Sequence, residues 1–243
     1  MLIYNLKRLM LRVARGNGIL DILKCTYFEF RNHYLYPIFK KTWSPNGEDL
    51  YVASLLSDVS DGFYVDVGAH TPKVGSNTYK LYLQGWTGIT IDPIASCIAD
   101  HKKHRPKDLS LNIGVGDKDS EMTFYNMFPE SLCTFSKEEV DRNIKKGFKL
   151  VSTTQIEVKT LENVLNKYAK GKKVNFLNVD TEGLDYLVLK SNNWSKYKPS
   201  VICVEVQESA EDKKIKDLLT ENGYVLNKEL GNNFIFVLED DGF

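Results

Sequence analysis

Short apolar runs alternate with amphipathic stretches from Gly47 onward, and that alternation predicts a parallel sheet with helices on both faces. GEDLYVASLL reads as a helix, FYVDVG as a first strand, NTYKLYLQ as a helix, GITID as a second strand and IASCIADHKKH as a third helix. LSLNIGVG reads as strand three. EMTFYNM and STTQIEVK read as two strands flanking the helix SKEEVDRNIKK, whose Ser136 and Glu139 form a capping-box pattern. TLENVLNKYAK is helical, NFLNVD a buried strand, LDYLVLKS a helix, SVICVEV a strand and IKDLLTEN a helix. YVLNK and NFIFVL close the chain as an antiparallel pair around Gly231 to Asn233.

Residues 1–43 stand apart as a helical extension, and residues 44–243 form the main domain. Leu2, Ile3, Leu6, Leu9, Met10 and Val13 recur at helical spacing, with Lys7, Arg8, Arg12 and Arg15 on the other faces. Such an amphipathic helix packs on the domain or on a second subunit, as in a homodimer; a weak peripheral membrane contact is the alternative. The aromatic-rich segment Tyr27 to Trp43 reads as a buried bridge to the core rather than a ligand platform.

Charge changes this picture little. The formal net charge of zero gives no reason to expect nucleic acid, although the extension carries eight Lys and Arg against Asp21 and Glu29. The four cysteines are scattered, which fits free thiols in a reducing compartment. No stretch approaches the ~20 apolar residues of a transmembrane helix. With no signal-peptide pattern either, the expected location is cytoplasmic.

Candidate chemistry gathers at strand ends, where open α/β sheets bind ligands. Four of them carry acids: Asp66, Asp92, Asp117 and Asp180. After Gly68, His70 and Lys73 stand where a dinucleotide loop needs glycines, so NAD is disfavoured, and no Walker loop occurs. Asp92 suits a ribose diol. Asp66, placed just before the turn, suits a cationic ammonium and would repel a pyrophosphate. An adenosine ligand with an amino-acid tail and a positive centre is S-adenosylmethionine. Farther along, NVDTEGLD puts Asp180 and Glu182 two residues apart at a strand mouth, with Glu205 close if the next strand is a neighbour. These three, with His70, make either a general base with its orienting partners or an oxygen-rich site for a divalent metal.

The joint pattern VDVGAH, GITIDP, NIGVGD and NVDTEG resembles the class I S-adenosylmethionine-dependent methyltransferases, and most of all their FkbM family. Resemblance runs from about Ser44 to Gln207, with NGEDLY and KTLENVL adding to it. It implies a Rossmann-like fold with a mostly parallel seven-stranded sheet and an antiparallel closing strand. It implies a cofactor site with Asp66, Gly68 and Ala69 near the amino-acid tail, Asp92 and Pro93 at the ribose, and Gly116 and Asp117 at the adenine. Asp180 and Glu182 would mark the substrate side, with His70 and Glu205 as further catalytic candidates. Thr134, in a segment with Ser131 and Phe135, and Lys73 are substrate-binding candidates.

GAHTPKVGSNTYKLYLQGWTGITIDP resembles the branch of the family associated with bacterial surface polysaccharide genes. That implies O-methylation of a sugar or nucleotide-sugar hydroxyl. Another hydroxyl or phosphate-type acceptor, or a non-catalytic partner-binding module, are the alternatives.

Overall fold

The computed structural model describes residues 42–206 and 210–241. The expectations for the basic helix and for most of the aromatic segment lie outside those residues.

Seven strands form the main sheet: β1 (Phe63–Val67), β2 (Thr87–Ile91), β3 (Leu109–Leu111), β7 (Phe176–Val179), β8 (Val201–Glu205), β9 (Tyr224–Leu230) and β10 (Asn233–Leu238). Their order is β3-β2-β1-β7-β8-β10-β9. All neighbours up to β8 are parallel, and β10 inserts antiparallel between β8 and β9. The strand order reverses between β1 and β7, which opens a crevice beyond their C-terminal ends.

Burial explains the strands' composition. Every residue of β1 and β7 is buried, as a strand covered on both faces requires. Val65 and Val67 face a core shared with α5 (Leu161–Tyr168) and α6 (Asp185–Lys190); Tyr64 faces the opposite core, under α1 (Glu48–Leu55) and α2 (Tyr79–Leu83). α3 (Ala95–His104) follows β2, and α7 (Ala210–Glu221) precedes the closing pair. Thr160 caps α5 by accepting from Asn163 N at 3.1 Å. At the α2 end, Ser76 Oγ accepts from Thr78 N and Tyr79 N at 3.2 and 3.1 Å, which leaves Thr78 and Asn77 to other partners.

The segment read as strand three divides. β3 stops at Leu111, and Gly114–Val115 forms β4, which pairs with a different sheet. At the break, Asn112 Nδ2 donates to Asp92 O at 2.9 Å, tying the departing chain to the end of β2. β5 (Ser120–Phe128) and β6 (Lys149–Lys159) then build a second, three-stranded sheet in the order β4-β6-β5. Between them, α4 (Lys137–Lys145) starts at Ser136, whose Oγ accepts from Glu139 N at 3.3 Å. The Glu139 carboxylate reaches Arg142 at 2.6 Å.

Trp43 meets Tyr79 edge-on, with ring centroids 4.8 Å apart. Among the described residues no helix is long and apolar enough to cross a membrane. Cys97, Cys133 and Cys203 are free thiols.

Candidate active site

Beyond the ends of β1, β2 and β7 lies a narrow cleft with a cavity volume of about 150 Å³. Its floor is the turn after β1. Gly68 sits at φ +83°, and a Cβ there would lie 1.6 Å from the carbonyl oxygen of Asp180. Only glycine lets these two strand ends approach so closely. The approach is fixed by backbone bonds: Gly68 N and Ala69 N donate to Ile91 O at 2.9 and 3.0 Å, and Asp180 N donates to Val67 O at 2.9 Å.

The next residue but one is held against its preference. His70 has φ +38°, uncommon outside glycine, and three neighbours fix the loop around it. His70 N donates to Asp92 Oδ2 at 2.8 Å. His101 Nε2 lies 3.3 Å from Ala69 O, and Arg105 Nη1 donates to Pro72 O at 3.3 Å. Burial, and then the adjacent Arg105 charge, push the fully buried His101 down to about 3. It is therefore a neutral ring that donates from Nε2. The His70 imidazole lines the cleft, its Nε2 standing 3.9 Å from Glu130 Oε2 across the mouth.

Asp92 and Pro93 line the cleft as well. Besides His70 N, the Asp92 carboxylate accepts from Ile94 N at 2.7 Å, so it organises the turn after β2 while exposing an edge to the cavity. Burial pushes its pKa up, opposed by His70 and the two backbone donors.

On the other wall, Asp180, Glu182 and Glu205 offer carboxylate oxygens that all lie within 4.8 Å of one another. Asp180 and Glu182 line the cleft, and Glu205 stands beside them at the end of β8. Their loop is tightly built. Glu182 takes φ +54°, Thr134 Oγ1 donates to Glu182 O at 2.8 Å, and the buried Asp185 accepts from Thr181 N and Gly183 N at 2.8 and 3.2 Å. Thr181 and Asp185, rather than Glu182, hold the start of α6. Burial pushes the Asp180 carboxyl well above the usual carboxylate range, and the Glu205 and Glu182 charges push the same way. Three carboxylates this close favour sharing one proton or one hard cation.

Other anticipated residues sit elsewhere. Asp66 points away from the cleft: it accepts from Thr78 Oγ1 at 2.5 Å and from Asn178 Nδ2 at 2.9 Å. Thr78 Oγ1 in turn accepts from the fully buried Arg105 at 2.8 Å, and Arg105 also reaches Tyr64 Oη and Asp108 at 2.9 Å each. Asp66 thus braces the loop from beneath and is not among the residues that line the cleft. Gly116 is buried at the base of the second sheet, donating to Lys159 O at 3.0 Å, and Asp117 is exposed on the following turn. Neither lines the cleft, although Ile113, Gly114 and Val115 just before them do. Thr134 is buried as the clamp on Glu182, and Lys73 lies outside the lining, its Nζ 6.0 Å from the Tyr79 ring centre.

Several residues were not anticipated. Ile113, Val115 and Phe124 line the cleft, joined by Glu130, Ser131, Cys133 and Phe135 from the expected segment between β5 and α4. Burial pushes the Cys133 thiol up to about 12, so it packs as an inert wall. No local motif marks Ile113, Val115 or Phe124.

Residues 66–226 match the sequence pattern described as the methyltransferase FkbM domain, two thirds of the chain. The chain belongs to the FkbM methyltransferase family. A solved FkbM methyltransferase from Methylobacillus flagellatus superposes with a TM-score of 0.51 at 13% identity, over 97% of this chain and 59% of that one. The chain therefore spans about three fifths of the length of that protein, and at this identity the likeness bears on the fold. A TehB-like SAM-dependent methyltransferase from Corynebacterium glutamicum aligns at 12% identity and TM-score 0.42, over 97% of this chain and 96% of that one. A Burkholderia thailandensis 1,6-didemethyltoxoflavin-N1-methyltransferase, solved with S-adenosylhomocysteine, aligns at 10% and 0.42, over 87% and 84%. No curated relative matches the chain. Membership in the FkbM family accords with the sheet order.

Proposed function

We propose that this FkbM-family chain binds S-adenosylmethionine in the cleft and transfers its methyl group to a hydroxyl of a sugar, either nucleotide-linked or part of a glycan precursor, in cytoplasmic synthesis of a bacterial surface polysaccharide. One observation carries the reading. The Gly68–Asp180 approach brings the ends of β1 and β7 into backbone contact at the floor of the cleft, which carries Asp92 on one wall and the Asp180–Glu182 pair on the other. The sugar acceptor draws its support from the resemblance of residues 68–93.

The residues present fit the cofactor. Asp92 would accept from the ribose hydroxyls, and the acidic Asp180 side would favour the cationic end over an anionic ligand. S-adenosylmethionine supplies an electrophilic methyl on a sulfonium. The chain must then align the acceptor oxygen and take its proton. Asp180 serves as that base. Its raised affinity for a proton, caused by burial and two neighbouring acids, makes it a stronger acceptor than an ordinary aspartate. Asp180 would take the hydroxyl proton as the acceptor oxygen is methylated. Glu182 and Glu205 keep the proton-holding state favourable.

Calorimetric titration with S-adenosylhomocysteine, with NAD as the control, tests the cofactor assignment. Mass spectrometry of nucleotide sugars and oligosaccharides after incubation with S-adenosylmethionine tests the acceptor. Saturable binding of the first ligand alone and a methyl-sized mass gain on a sugar are expected. Absence of binding overturns the enzyme reading in favour of a partner-binding module, and transfer only to non-sugar hydroxyls overturns the acceptor.

A further inference from the structure

A second group of metal-ligating side chains gathers at the mouth of the cleft, and its donors differ from the three carboxylates. His70 comes from the loop after β1, Cys97 from the first turn of α3 and Glu130 from the segment after β5. One ligand atom from each side chain, an imidazole nitrogen, the thiol sulfur and a carboxylate oxygen, lies within 4.8 Å of the other two. A second observation singles out the histidine. Its side chain is 34% exposed, yet Nε2 itself is shielded from solvent and has no hydrogen-bond partner among the described residues. A shielded ring nitrogen left in that state costs stability until something occupies its lone pair or its proton. The backbone beneath it is fixed, at φ +38° with His70 N donating to Asp92 Oδ2 at 2.8 Å.

We propose that His70 Nε2, Cys97 Sγ and a Glu130 carboxylate oxygen form a zinc site. Tetrahedral zinc holds nitrogen, sulfur and oxygen ligands about 3.3–3.6 Å from one another, so side-chain movements of roughly 1.5 Å or less close the set. His70 Nε2 and Glu130 Oε2 already stand 3.9 Å apart. The donors select the metal. A thiolate with an imidazole suits zinc, whereas magnesium and calcium take oxygen ligands of the kind that Asp180, Glu182 and Glu205 offer. Three protein ligands leave the fourth tetrahedral position to water. On binding, the Cys97 S–H bond breaks, the sulfur keeps the electron pair for the metal and the proton passes to solvent, so affinity falls as pH falls. Because the three ligands are far apart in the chain, the ion clamps the loop after β1 and the start of α3 to the wall segment at Glu130.

Zinc and cobalt(II) titrations of the full chain, after treatment with a chelator, test the proposal. Wild-type protein should take up zinc stoichiometrically, with a rise in melting temperature, and keep it against a large excess of magnesium. Cobalt should give the charge-transfer absorption of a thiolate ligand. Cys97→Ser should abolish that absorption. His70→Asn, which keeps a residue tolerant of positive φ, and Glu130→Gln should each weaken zinc binding by about tenfold or more. Circular dichroism of the metal-free variants reports whether the fold survives, and if buried Cys97→Ser does not fold, the two partly exposed variants carry the test. A wild-type chain that takes up no zinc overturns the proposal. So does a cobalt complex without thiolate absorption, an absorption that survives Cys97→Ser, or zinc affinity unchanged in both His70→Asn and Glu130→Gln.

Discussion

Replacing Gly68 with alanine tests whether the cleft depends on the close approach of two strand ends. The new Cβ would start 1.6 Å from Asp180 O, whereas real contacts of this kind do not fall below 3.0 Å. The carbonyl must therefore retreat by more than an ångström, and the bond from Asp180 N to Val67 O, now 2.9 Å, would be lost with it. The φ of +83° adds its own penalty, about 1–2 kcal/mol for an L-residue. If only the backbone penalty were felt in binding, affinity would fall roughly 5- to 30-fold. Displacement of Asp180 by about 1 Å should lower turnover by a further factor on the order of 100. Calorimetry with S-adenosylhomocysteine and single-turnover methylation measure the two effects separately, and a thermal melt reports whether the domain survives. An alanine variant whose affinity and turnover both stay within about threefold of wild type would refute the reasoning, because ~0.7 kcal/mol cannot accommodate the strain.

Four further outcomes follow from the site. Glu205→Gln removes a charge that raises the Asp180 pKa, so the acid limb of the pH–rate profile should move to lower pH; an unmoved limb would separate Asp180 from the proton transfer. Asp180→Asn should abolish turnover yet stabilise the fold at neutral pH. Because its folded-state pKa is raised, Asp180 costs the fold stability increasingly as pH rises from the unfolded-chain value, about 4, and fully above the folded-state pKa. The melting-temperature gain should therefore vanish only below about pH 4, and a destabilised variant at neutral pH would contradict this. Arg105→Met leaves Asp66 and Asp108 buried beside no cation and should cost about 3–5 kcal/mol in urea denaturation; a loss under ~1 kcal/mol would deny the network its role. Exhaustive chelation should leave methyl transfer intact if Asp180 works as a base, whereas loss restored by magnesium would assign the three carboxylates to a cation.

The sheet was largely legible in the chain because its strands are short apolar runs bounded by turn residues, and periodicity reports that directly. FYVDV and NFLNV needed no tertiary information. The division of LSLNIGVG was hidden because its two parts are apolar alike; what separates them is the Asn112 bond to the end of β2, a contact between distant residues. At the site, Gly68, Asp92, Asp180 and Glu182 were visible as strand-end residues. Asp66 shares that signature, yet strand alternation turns it toward Thr78 and Arg105 on the opposite face. Arg105 itself was invisible, since a lone arginine at a helix end reads as solvated until β1, the loop after it and α2 close over it.

The second sheet leaves and rejoins the main fold at one place. β4 and the end of β6 lie side by side, with Gly114 opposite Val158 and Val115 opposite Lys159, so the chain between them is a loop closed at its own neck. Residues 114–159 lie beyond that neck and meet the rest of the cleft again where Thr134 donates to Glu182 O and α4 packs on Gly183. A change within them reaches the cleft both through its wall and through the Glu182 loop.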